Sequence, residues 1–326
     1  MLHSIGRGQI KEQMDKFHIP GISLGLLAGG TLREEFYLGY SDREEKKAVT
    51  AQTLYEAASL TKPVFAWYVH LLVRQGLLAD DARPLRALLD YPIRREKGAD
   101  GITLMQLLTH SSGLENWGEK PLQLLFSPGE GFGYSGEGYT CLQCYVEELK
   151  QAGLDELFEG EVFPQTRMES SAMCYRDVAQ ENVAMSYDRQ GRGQRNRYQV
   201  RELEKEPNGA YTLYTNLRDY SSFLGTLWED KEILEKMGEP RVPVSGDARR
   251  LFWGPGCGVW LGREEMLWHY GDNGNFKSLF FLEKETGDGM VYLSNSFWGL
   301  ETGFALAQKL WQEDFGEMIR FTERWE

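Results

Sequence analysis

The feature that most constrains this chain is where its strand-like segments fall. Two runs near the amino terminus, 22–28 and 32–40, are separated by Gly29-Gly30, the short glycine connection that a tight hairpin requires. Further strand-like runs return only near the other end, at 258–262, 266–270, 278–282 and 290–294. Between them apolar residues recur at helical intervals. The 59–76 stretch carries Val64, Phe65, Tyr68, Val69, Leu72 and Val73, a helix long enough to be buried centrally, and 104–108, 139–149 and 217–227 are shorter. Helices also open the chain at 5–17, before Pro20-Gly21, and close it at 300–315. Strands at both ends with helices between imply one sheet completed by the two termini. The predicted fold class is α/β (α+β), a mainly antiparallel sheet flanked by helices with an inserted helical subdomain. One domain spans 1–326, its sheet part at 1–58 and 207–326 and its helical part at 59–206. There are no internal repeats and no flexible linker.

Charge narrows the partners. With 49 acidic against 36 basic side chains, the formal net charge of −13 repels phosphate backbones and anionic lipid at long range, so nucleic acid is not an expected partner. No stretch approaches the roughly 18 consecutive apolar residues of a membrane-spanning helix, which argues against membrane insertion. The first 30 residues mix Arg7, Lys11, Glu12, Asp15 and Lys16 with apolar positions and show no secretion signal, so a cytoplasmic location is expected. Four cysteines do not make a disulfide framework in such a chain. Cys141 and Cys144 form a CxxC inside a helical pattern, with no second pair at zinc spacing, and read as structural thiols. The five histidines, His3, His18, His70, His110 and His269, have no zinc-type spacing either, and neither metal nor cofactor is called for.

The sharpest chemical signal is Ser59-Leu60-Thr61-Lys62 at the start of the long apolar helix. Residues three apart on a helix share a face, so the lysine amine can lie beside the serine hydroxyl. Burial would lower the amine's pKa and let it accept a proton, while the helix amino terminus favours negative charge on the oxygen. Alone the motif is weak, because serine is also a common helix cap.

The surrounding blocks add weight. Pro20-Gly21-Ile22-Ser23, Thr53 through Pro63, Ile102-Thr103-Leu104, Leu107 through Leu114 (LLTHSSGL), Ser127-Pro128-Gly129-Glu130, Phe132-Gly133-Tyr134-Ser135, Gly138-Tyr139 and His269-Tyr270-Gly271 stand in one order along nearly the whole chain. The chain thereby resembles the serine β-lactamase, penicillin-binding protein and esterase superfamily, most closely its class C β-lactamase and related esterase branch. The resemblance implies a β-lactamase/transpeptidase-like fold and a site at the junction of its sheet and helical parts. It implies that Ser59 attacks a carbonyl to form an acyl-enzyme, that Lys62 helps deprotonate it, and that Tyr134 shuttles a proton. It also implies an oxyanion hole from the backbone N–H groups of Ser59 and Asp272, with His269, Gly271 and Gly136 at substrate-binding positions. The partner expected is a small ester, amide or lactam.

Two positions depart from that pattern. Gly136 stands where the family's Y-x-N element has asparagine, so a β-lactam side chain loses a polar anchor. His269 stands where many β-lactamases have a lysine; neutral at most working pH values, it binds a carboxylate less strongly. Both favour esterase or peptidase-like hydrolysis over efficient β-lactamase action. They also support the alternative of a catalytically silent binding or sensing module. Gly21-Ile22-Ser23-Leu24-Gly25 spells the lipase elbow, but it sits inside a strand-like run with no helix behind it. His110 beside Ser111 and Ser112 reads as helix termination and cleft-wall packing. Among 9 Trp, 16 Tyr and 16 Phe, most belong to the core, and Trp117, Phe126, Phe132, Trp253, Trp260 and Phe297 fall near the blocks expected around the cleft.

Overall fold

The hairpin expected at 22–40 forms, with β1 (Gly21–Ala28) antiparallel to β2 (Thr31–Asp42). Gly29 and Gly30 turn it at φ 58° and 67°, a backbone region that costs glycine least. The structure is a computed structural model, and it describes residues 2–95, 98–194, 206–245 and 249–324.

The main sheet continues with β3 (Lys47–Ala48), β4 (Val242–Pro243), β5 (Leu251–Trp253), β6 (Gly258–Leu261), β7 (Glu265–Asp272), β8 (Lys277–Glu283) and β9 (Gly289–Ser294). Their order is β3-β2-β1-β9-β8-β7-β6-β5-β4, and every pairing within it is antiparallel. The last strand lies beside the first, with Ile22 opposite Ser294 and Leu26 opposite Met290. The two termini therefore complete one sheet. Sequence periodicity did not disclose β3, β4 and β5, which are too short to show an alternation.

Helices cover both faces. Ile22, Leu24, Trp268, Leu279, Phe281 and Tyr292 pack with residues of α1 (Arg7–Lys16), α6 (Gly299–Trp311) and α7 (Gly316–Glu323). On the other face Leu267, Phe280, Leu282, Val291 and Leu293 meet α2 (Thr61–Arg74) and α5 (Leu217–Glu229). Every residue of α2 from Thr61 to Leu72 is buried, as expected of a central helix that is apolar all round. Two expectations need correction. Ser59 lies in a 3₁₀ turn, Ala58–Leu60, with the α-helix beginning at Thr61. The single closing helix is two, because Gln312 adopts φ 49° after α6 and the chain restarts at Gly316, whose N–H is capped by Asp314 at 2.8 Å.

The inserted region contains short helices, among them α3 (Leu104–Leu108), and one long one, α4 (Gly136–Lys150). The 195–205 stretch that the sequence assigns to this region lies outside the described residues.

Candidate active site

Ser59 is presented by a strained turn. Ala58, just before it, has φ 50°, a left-handed conformation that costs a residue with a Cβ roughly 1–2 kcal/mol. Neighbours hold the turn from several sides. The Ala57 carbonyl accepts from Ser278 Oγ at 2.7 Å, the Ala57 N–H donates to the Leu213 carbonyl at 2.8 Å, and Thr61 Oγ1 donates to the Ala58 carbonyl at 2.6 Å. Tyr220 Oη donates to the Leu60 carbonyl at 3.1 Å. Ser59 does not cap α2, whose cap position is Leu60 without a side-chain bond. Its hydroxyl is left for Lys62.

Lys62 Nζ lies 3.0 Å from Ser59 Oγ and 2.9 Å from the Ala210 carbonyl, with the side chain 1% exposed. Burial lowers its pKa to about 7, so a large fraction of the amine is neutral near pH 7. The ammonium form would sit 4.8 Å from the centre of the Tyr134 ring.

Tyr134 is buried, and burial raises its phenol pKa well above the ordinary 10.0, an effect the nearby Ser59 hydroxyl partly offsets. Tyr134 is thus a protonated phenol at neutral pH. Its placement comes from both chain neighbours and ring packing. Ser135 caps α4, accepting from the Gly138 N–H at 2.9 Å, and donates through Oγ to the Glu115 carbonyl at 2.7 Å. The Ser135 N–H donates to His110 Nδ1 at 3.1 Å, which leaves the proton of a neutral His110 on Nε2. The His110 ring packs against Tyr134 with centroids 4.4 Å apart and planes tilted by 38°. Burial, with Lys62 and His269 nearby, holds His110 well below its usual pKa. His110 thus packs the cleft wall, as its sequence position suggested, and also positions Tyr134.

β7 forms the third side. β6 pairs with β7 only up to Trp268, so His269 to Asp272 continue past its end and lie against the Ser59 turn. Gly271 allows this approach: a Cβ there would stand 2.2 Å from the Ala57 carbonyl oxygen and 3.1 Å from Ala58 Cβ. The backbone of Asp272 follows directly, and its carboxylate is braced by Lys277 at 2.5 Å. His269 is fully buried, donates through Nδ1 to the Tyr270 carbonyl at 2.7 Å, and is held at a pKa of about 3 by burial, with Lys62 adding to the effect. It is neutral and offers the cleft no exposed surface. Its ring stands 6.1 Å from that of Tyr134 and 5.2 Å from that of Trp253.

At Gly136 the finding is steric. It is the first residue of α4 with no left-handed φ, and an added Cβ would meet the Trp117 ring at 2.3 Å (Cζ2) and 2.4 Å (Cη2). The indole takes the space a side chain would need. The other flagged aromatics divide. Phe132 and Trp253 contact the His110–Tyr134 pair, Phe126 packs on Gly133, Trp260 packs on Phe315 in the core, and Phe297 meets Trp298 edge-to-face.

Sequence reasoning missed the loop that closes the site. Its members are Ala210, which holds the lysine, and Gly209 and Pro207, both bonded to Gln143 of α4 at 2.9 Å. Asn273 links Glu56 (2.6 Å) to the Tyr211 carbonyl (3.4 Å). These contacts use backbone groups or long-range pairs that carry no local pattern. Ser23 is buried within β1 and shares a 3.1 Å hydrogen bond with Tyr55, as expected of a strand residue. The described residues contain no group of three or more His, Cys, Asp or Glu able to hold a metal ion.

Penicillin-binding protein 4* of Bacillus subtilis (strain 168) is 25% identical over 178 residues, 48% of this chain and 38% of the relative. Esterase EstB of Burkholderia gladioli is 41% identical over 80 residues, 24% of this chain and 20% of the relative. Each match spans less than half the relative's length. The solved structure of EstCE1, described as a hydrolase with promiscuous acyltransferase activity, shares the fold with a TM-score of 0.79 at 18% identity, covering 90% of this chain and 93% of that one. The family profile described as Beta-lactamase matches residues 7–313, from the first turn of α1 to just beyond α6. With the sheet, helices α1 to α6 and the Ser59 turn all inside that span, the chain belongs to the beta-lactamase family.

Proposed function

We propose that this chain is a serine hydrolase that cleaves an ester or amide of a small molecule through an acyl-enzyme on Ser59. The observation that carries the reading is the buried Lys62 amine, 3.0 Å from Ser59 Oγ with its pKa lowered to about 7. In its neutral form Lys62 takes the Ser59 proton as Oγ bonds to the substrate's carbonyl carbon. Charge on the carbonyl oxygen is stabilised by the N–H groups of Ser59 and Asp272, which the close approach at Gly271 supports. The C–X bond then breaks, and the leaving group takes a proton from the Tyr134 phenol or the Lys62 ammonium. Water attacks the acyl carbon by the same route in reverse, releasing the acid and restoring Ser59.

His269 works behind this arrangement, packed against Tyr134, rather than gripping a substrate carboxylate, because it is neutral and buried. This disfavours tight anchoring of a β-lactam carboxylate, and the occupied space at Gly136 disfavours its side-chain amide. Ester or peptide-like amide hydrolysis therefore stands ahead of β-lactamase action. Esterase EstB and Penicillin-binding protein 4* among the relatives support the same reaction class. A reducing compartment such as the cytoplasm suits the thiols of Cys141, Cys144 and Cys257, none of them in a disulfide. Among the described residues no helix is long and apolar enough to cross a membrane.

The test is incubation with a fluorophosphonate probe, a fluorescent penicillin and a 4-nitrophenyl ester, with adducts located by mass spectrometry. Label is expected on Ser59, and Ser59→Ala should lower ester turnover by several orders of magnitude. Turnover at the parent rate in that variant overturns the assignment, and a parent that takes up no probe and cleaves no ester supports a silent binding module.

A further inference from the structure

The space beside Gly136 is occupied rather than vacated, and its occupant faces solvent. Trp117 is 54% exposed, yet its ring has two fixed neighbours. Its six-membered ring lies beside Gly136, and Tyr211 meets the indole edge-to-face with centroids 5.4 Å apart and planes at 87°. The backbone before the indole is pinned. The Glu115 carbonyl accepts from Ser135 Oγ at 2.7 Å, Asn116 Oδ1 accepts from the Gly136 N–H at 2.8 Å, and the Asn116 carbonyl accepts from the Glu137 N–H at 3.0 Å. An exposed tryptophan on so fixed a loop has no core to serve.

Its surroundings place it at the catalytic groups. Gly136 is two residues from Tyr134, and Tyr211 follows Ala210, whose carbonyl holds the Lys62 amine at 2.9 Å. The Tyr211 carbonyl also accepts from Asn273 at 3.4 Å, one residue beyond Asp272. The two rings thus join the Tyr134 wall to the wall that carries Lys62 and β7. Flat apolar surface offers a ligand stacking and desolvation, and no fixed amide stands at Gly136 to select a polar acyl side chain.

We propose that Trp117 and Tyr211 form an aromatic platform that receives the acyl part of the substrate, and that the preferred substrates are esters or amides whose acyl group carries an aromatic ring. The assignment of the acyl side depends on Ser59 being the nucleophile; the presence of an aromatic-binding platform does not.

The experiment compares kcat/KM for 4-nitrophenyl phenylacetate and 4-nitrophenyl acetate, which share a leaving group. The parent is expected to favour phenylacetate by about tenfold, Trp117→Ala to lower that ratio by about tenfold, and Trp117→Phe to retain most of it. A parent ratio below one overturns the proposal, as does a ratio that Trp117→Ala leaves unchanged, including the case in which both esters slow equally because the indole only supports α4. If Ser59 takes up no fluorophosphonate, the nucleophile assignment fails separately, and binding then decides the platform. Saturation-transfer NMR on the Ser59→Ala protein should show N-phenylacetylglycine bound more strongly than N-acetylglycine, and adding Trp117→Ala should remove the difference. Equal binding of the two ligands overturns the platform.

Discussion

On the α2 side of the cleft the two decisive groups stand three residues apart on one turn of chain, whereas on the α4 side the space beside Tyr134 is set by Trp117, delivered by a separate loop. The first arrangement is local, so a helical register almost guarantees the contact between Ser59 and Lys62. The second depends on how α4, the 115–118 loop and Tyr211 meet. A wall built locally can be read and carried over from relatives. A wall built by tertiary packing is free to change, and it is there that this chain departs from the family pattern.

The largest test of that contrast falls on Lys62. Lys62→Met should lower acylation by about 10²–10⁴-fold, as loss of a positioned base does. In the proposed mechanism the neutral amine is the base, so kcat/KM should rise with pH through about 7, and the variant should lack that limb. Stability gives an independent check of sign. The folded pKa of about 7 lies below the ordinary 10.5, so the unfolded chain binds more protons between them. The parent should gain stability relative to Lys62→Met as pH rises across that window, by up to about 1.4 kcal/mol per pH unit, and the cost of burying the charge should be fully present below about 7. Urea unfolding at pH 6, 8 and 10 measures the difference; a flat difference would mean that the lysine is solvated.

Next in size is Gly271→Ala, which drives a methyl to 2.2 Å from the Ala57 carbonyl oxygen. Separating β7 from the Ser59 turn should cost about 1–3 kcal/mol of stability and lower the rate of probe labelling, because the proposed oxyanion donors move apart. A stable variant labelled at the parent rate would remove Asp272 from the site.

Gly136→Asn probes the tertiary wall. Since φ there is ordinary, the obstacle is the indole, and the substitution should destabilise by about 1–3 kcal/mol. Adding Trp117→Ala should recover part of that loss, with a coupling of about 0.5–3 kcal/mol in a double-mutant cycle of thermal unfolding. Additive effects would show that the indole does not define the space. Only in the double variant should a penicillin gain acylation relative to an ester.

The smallest effect is expected at Ala58→Gly. Relief of the left-handed strain at φ 50° should raise stability by less than about 1 kcal/mol, net of glycine's greater backbone entropy, and should loosen the presentation of Ser59 enough to slow acylation a few-fold. Faster labelling would show that the strained turn does not serve the nucleophile.

Much of this was legible before folding. The hairpin at Gly29-Gly30, the buried central helix and the late strands all followed from period and turn chemistry, because these are local rules. Local rules also explain the misses. Three short strands of the main sheet carry too few residues to alternate, and the closing helix breaks at Gln312, a residue with no special claim to a left-handed φ. Ser59 was placed at the start of the α-helix, which begins two residues later at Thr61, since a 3₁₀ turn has nearly the same spacing.

By itself the sequence determined the sheet's two halves and the Ser59–Lys62 pair, because each is written in spacings of a few residues, while Tyr134 was named through the family resemblance. Tertiary structure decided the rest. It placed Lys62 in a site that lowers its pKa, hid His269 from the cleft, and set Trp117 into the space at Gly136. Desolvation and steric exclusion depend on every atom within several ångströms, and in a fold that joins its first strand to its last, those atoms come from all along the chain.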